Sequence, residues 1–236
     1  MVAPELFTAA QPPAGPPVVE RLVAVEPAPP QPLEAALPSL AEPVQKPAAE
    51  VAPERLASDT RVFTIEGVDQ LGRKASFEMI VLSRAIAWTR GSTTELARAG
   101  EPLSEAQVAD EVFGPDVRDR LVLTSELIAA GAASAEGDVD TETERAEKRA
   151  RTTAGWLSAA APGKTVWTLN LGQYQTSCES AAAASDTGWQ RPLIVFGVRS
   201  KDAGVQLDQA LSNAMTGKAN LPSPSCYSSF ELEPYR

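Results

Sequence analysis

LIAAGAASAEGDVDTETERAEKRARTTAGWL, residues 127–157, carries three signals in a row. The first is a short apolar run rich in small residues, ELIAAGAAS, which reads as a buried strand. The second is an acidic stretch bounded by glycines, which reads as a turn. The third is TETERAEKRARTTAGWL, the strongest helical pattern in the chain. There Arg145, Ala146, Arg149, Ala150, Thr153, Trp156 and Leu157 recur at helical spacing, and Glu144–Lys148 and Glu147–Arg151 stand four apart in the favourable order. The acids of EGDVDTETE suit the positive end of a helix dipole, with Asp140 or Thr141 expected as the cap. Their spacing does not fit a calcium-binding loop.

Further strands and helices are expected on both sides. Upstream, RVFTIEGVD and ASFEMIVL flank a glycine turn and read as a hairpin from about Arg61; FEMIVL also reads as a central strand. Residues 84–102 give no clear pattern. Ser104 then precedes EAQVADEVF as an N-cap, and Gly114-Pro115 separates that helix from a second one beginning at Asp116. Downstream come the strand KTVWTLNLGQY, a polar loop, the strand QRPLIVFGVRS, and a short amphipathic helix VQLDQALSNAM. Strands and helices thus intermix from residue 59 to 236, which predicts one α+β domain. Residues 1–58 differ. They hold thirteen of the twenty prolines, as in PPAGPP and EPAPPQP, and predict an extended arm or linker. Its apolar islands Val18-Val19, Leu22-Val23, Leu37 and Leu40 suit docking on a partner.

Composition narrows the function classes. The net charge of −10 opposes a phosphate backbone, so no nucleic acid is expected as a partner. There is no histidine, so Ser-His and Cys-His nucleophile pairs cannot form within the chain. Two cysteines are too few for a zinc site built on thiolates, so neither a metal nor another cofactor is expected. Cys178 and Cys226 are either two separate thiols or one disulfide, and the disulfide would require an oxidising compartment. Ser158–Thr165, SAAAPGKT, has the tail of a phosphate loop but follows a helix and opens a strand, the reverse of the order a phosphate loop needs. Gly163 there reads as a connector and Lys164 as a solvated turn charge. No run approaches the ~18 apolar residues of a membrane span. MVAPELFTAAQPP has no basic or apolar leader region, which implies either a cytoplasmic protein or a native start elsewhere.

One constellation goes further. Gly131, Ser134 and Gly137 stand three apart after a strand, and a helix follows with Arg149-Ala150 seven residues before Trp156-Leu157. This resembles the OmpA-like peptidoglycan-associated domain, over about residues 77–200. That family has a strand ending in Gly, two residues, Asp or Ser, two residues and Gly. A helix with Arg-Ala before an aromatic–Leu pair follows, then a further strand, then a late strand that QRPLIVFGV loosely matches. The resemblance implies a β-α-β-α-β sandwich of helices on a mixed sheet, here preceded by the Pro-rich arm. It implies a non-catalytic envelope protein of the periplasm. Its ligand would be the diaminopimelate end of peptidoglycan, bound through Arg149 with Ser134, Gly131 and Gly137. Ser134 occupies the place of the usual Asp, and Pro192 that of the second Arg of the late motif. Two bland readings stand beside these. Arg149 could form a surface ion pair with Glu142 or Glu147. The chain could be an accessory structural subunit whose arm wraps its neighbours in a larger assembly.

Overall fold

A computed structural model describes residues 53–56, 60–81, 86–178, 187–218 and 223–236. The arm expected over residues 1–58 lies outside the described residues apart from Pro53–Leu56, as do its apolar islands. The described chain is mixed α+β, built on one mixed seven-stranded sheet.

Strand β1 (Glu54–Arg55) pairs antiparallel with β2 (Arg61–Val68), so pairing starts upstream of residue 59. β2 forms the expected hairpin with β3 (Lys74–Val81) around Asp69–Arg73, where Gly72 has φ +77°. Both readings of FEMIVL hold, because β3 also pairs with β9 (Ile194–Lys201) and is interior. β9 continues to β7 (Glu126–Ala133), then to β8 (Thr165–Gln173), and β10 (Glu231–Pro234) closes that edge. Among the described strands only β7 and β8 pair in parallel, and the long helical crossover α3 (Val139–Ala160) joins them. The ambiguous stretch becomes a small separate sheet of β4 (Ile86–Trp88), β5 (Leu96–Arg98) and β6 (Glu101–Pro102).

Helices cover both faces of the large sheet. β7 shows why, since its side chains alternate between the two layers. Ile128 and Ala130 join Phe63, Phe77, Phe196 and Leu169 under α4 (Leu207–Met215). Leu127 and Ala129 join Ala154 and Leu157 of α3 on the other face. That second layer also takes in Val108 and Val112 of α1 (Glu105–Val112), Leu121 of α2 (Pro115–Val122), and Trp88.

Local chemistry sets the helix ends. Ser104 caps α1 in a full capping box with Gln107, and Pro115 sits in the first turn of α2, where its missing N–H costs nothing. The cap of α3 is Asp138, not Asp140 or Thr141. Its carboxylate accepts from the N–H groups of those two residues, and its backbone is extended. Lys164 is not a free turn charge either, because its ammonium donates to the carbonyls of Val122 (3.1 Å) and Thr124 at the end of α2. Gly163 makes the α3–β8 turn at φ +86°.

Candidate functional site

The four residues singled out in the sequence gather around the C-terminal end of β7, in four different roles. Gly131 lies inside the strand and faces α3. A Cβ there would stand 1.9 Å from the carbonyl oxygen of Ala146, so its missing side chain lets strand and helix close up. Ser134 follows the strand and is buried. Gly137 is exposed and takes φ +102°, which lets the chain turn into Asp138 and the helix. Arg149 points inward from α3 and is wholly buried.

Arg149 is held by backbone rather than by a carboxylate. Its Nε donates to Ser92 O (2.9 Å), Nη1 to Ala132 O (2.8 Å) and Nη2 to Thr89 O (3.4 Å). The Trp88 ring lies 5.5 Å from the guanidinium centre, and Trp88 stacks on Trp156, two turns further along α3. Burial, with help from the neighbouring Arg191 and Arg145 charges, lowers the Arg149 pKa to about 10. It therefore stays protonated at neutral pH. The surface pairings it was offered go to its neighbours, Glu142 pairing with Arg145 and Glu147 with Arg151. Thr152 adds a bond to Thr93 O (2.8 Å), so α3 grips the Thr89–Glu95 turn through two side chains.

The turn after β7 is clamped from the other side. Ala135 N donates to Gln190 Oε1 (2.9 Å), and Gln173 Nε2 donates to Gly137 O (3.1 Å). Glu136 accepts from Thr187 Oγ1 (2.9 Å) and pairs with Arg90 (3.0 Å). Between the two turns lies a recess of about 220 Å³, lined by Arg90, Gly91, Glu136, Gly137, Glu142 and Arg145. Its lining holds two arginines and two glutamates, each arginine paired with one of the glutamates. A larger open cleft of about 470 Å³ lies at the opposite end of the strands, around Lys74, Lys201, Asp202 and Asn213.

Beside β8, Cys178 and Cys226 are joined by a disulfide with Cα atoms 5.6 Å apart. Tyr174 and Tyr227 pack edge to face next to it, and Trp189 packs on Tyr174. Burial, with the adjacent Tyr174, pushes the Tyr227 hydroxyl far above its usual range. Among the described residues no cluster of His, Cys, Asp and Glu suits a metal ion. Nor is any described helix long and apolar enough to cross a membrane.

Sequence reasoning missed Trp88, Arg90, Glu136 and the carbonyls of Thr89 and Ser92. A backbone carbonyl leaves no mark in a sequence, and the segment carrying these two had no periodicity to place it. Arg191 was visible inside QRPLIVFGV but was not singled out. Searches against family models and against curated proteins give no match to this chain.

Proposed function

We propose that this chain is a non-catalytic binding domain of the cell envelope, resembling the peptidoglycan-associated OmpA-like domains. The observation that carries the reading is the recess beside Gly137, with its opposed Arg90–Glu136 and Arg145–Glu142 pairs. Diaminopimelate offers an ammonium and a carboxylate at one end, and paired opposite charges are what such a group needs. The Cys178–Cys226 disulfide supports an oxidising location such as the periplasm. The order strand, glycine turn, long helix, parallel strand and late strand agrees with the resemblance. In this reading Arg149 is a positioning residue. It fixes the Thr89–Glu95 turn, which forms one wall of the recess.

A pull-down with purified cell wall tests this. The wild-type protein is expected in the pellet, and the double variant Arg90→Gln/Glu136→Gln in the supernatant. Equal retention of both, or of neither, would sink the site.

One observation favours the second reading, a structural subunit of a larger assembly. Three of the Arg149 nitrogens, the expected receptor's donors, are already engaged by the protein's own backbone. Removal of residues 1–45 tests this reading, since an arm that wraps neighbours is needed for co-purification with them.

A further inference from the structure

Arg191 is a cation with two buried nitrogens that make no hydrogen bond among the described residues. It stands between the one-turn helix Gly188–Gln190 and β9, and its carbonyl accepts from Trp88 N (3.2 Å). Its Nε and Nη1 are buried, yet neither has a hydrogen-bond partner among the described residues. Arg149 is different, because three of its nitrogens reach carbonyls.

The same layer holds three more unmet polar atoms: Trp88 Nε1, Thr89 Oγ1 and Thr153 Oγ1. Trp88 is 1% exposed and Thr153 0%, so bulk water does not supply what they lack. Arg191 and Trp88 stand opposite each other beside the Ala87–Pro192 bridge, and the Arg191 charge reaches Arg149. Thr89 follows Trp88, whose ring faces Arg149, and Thr153 stands one helical turn beyond Arg149. Buried polar atoms are ordinarily satisfied, so a cluster of unmet ones asks for an absent partner. Guanidinium and indole nitrogens only donate, so that partner must accept. Charge points the same way. Arg191 and Arg149 repel each other, and Glu142, the carboxylate that acts on Arg149, is tied to Arg145. A water molecule would fill a hydrogen bond there but would not offset two cations.

We infer that Arg191 and the Trp88 indole N–H form a binding site for a small oxyanion, a carboxylate or a phosphate-type group. The site is reached from the partly exposed side of Arg191 and is distinct from the recess beside Gly137. Its failure would leave the wall-binding reading untouched.

Titration of the 15N-labelled full chain tests it. Sodium acetate, phosphate and sulfate are added separately, each against sodium chloride at matched ionic strength. The Trp88 indole and Arg191 Nε–H resonances are followed, with Trp88→Phe supplying the indole assignment. The expected result is a saturable shift of both resonances with at least one oxyanion, and a loss of apparent affinity of at least tenfold in Arg191→Gln. Saturation by acetate alone would make the ligand a carboxylate; saturation by phosphate or sulfate alone would make it a phosphate-type group. Shifts that stay linear with every oxyanion, or that equal those with chloride, would overturn the site. The wild-type titration decides this even if Arg191→Gln does not fold.

Discussion

Arg149 shows how a single residue can change meaning between sequence and structure. The helical spacing placed it correctly on the inner face of α3, beside Ala146, Ala150 and Thr153. Its depth was not legible, because the groups that enclose it arrive from nearly sixty residues upstream. Replacing it with Met would keep the packing volume and take the Arg149 donors from the carbonyls of Ser92 and Ala132, while Thr89 O would still accept from Ser92 N. A fully buried orphan such as Ala132 O costs about 1–3 kcal/mol and the half-buried Ser92 O less, partly offset by no longer burying a charge. Arg149→Met is therefore expected to lower stability by about 2–4 kcal/mol in urea unfolding; an unchanged midpoint would show that the Arg149 bonds contribute nothing net. Asp69 makes a second prediction. Burial pushes its pKa up, but the N–H groups of Gln206, Arg73 and Leu71 and the Arg73 guanidinium outweigh this and hold it at about 2. A carboxyl held below its unfolded value of about 3.9 stabilises the fold above that pH and stops doing so as pH falls toward 2. Asp69→Asn should thus flatten the loss of stability between about pH 4 and pH 2. Parallel wild-type and variant curves over that window would contradict this.

At the scale of elements, long periodic segments were legible and short ones were not. β7, α3, β8, β9 and α4 all stand where their patterns put them, since each buries a face that the sequence itself defines. β1, β6 and β10 are two to four residues long, too short to show a period of their own, and β10 exists only through its pairing with the distant β8. The cap of α3 was placed two or three residues late because the segment offers several acids, and only backbone geometry selects Asp138. Gly131 was legible inside the strand ELIAAGAAS, but its role as a contact point between strand and helix was not. Gly131→Ala would drive a methyl into the backbone of α3 at Ala146 and Ala150. A loss of about 3 kcal/mol is expected in thermal or urea unfolding, against about 1 kcal/mol for Ser104→Ala at the capping box. Equal effects would mean that α3 moves freely off the sheet.

At the scale of the molecule, the sheet order β1-β2-β3-β9-β7-β8-β10 inserts a late strand between early ones. Intermixed strands and helices were enough to give the α+β class. Nothing in the sequence specified that β9 would separate β3 from β7, because that is a choice among sheet partners and not a local pattern. The disulfide belongs to this scale as well. It joins segments 48 residues apart, near the exit of β8 and ahead of β10. Replacing both cysteines by Ser should cost about 2–4 kcal/mol and act chiefly on the unfolded chain. Reductant should lower the unfolding midpoint of the wild type and leave that of the double variant unchanged.

The wall-binding account is tested most directly by titrating free diaminopimelate into the purified, oxidised protein and measuring heat. Saturable binding is predicted for the wild type, weakened at least about tenfold in Glu136→Gln, a loss of about 1.4 kcal/mol. Absence of saturable binding to the wild type, or equal affinity in the two proteins, would contradict the account.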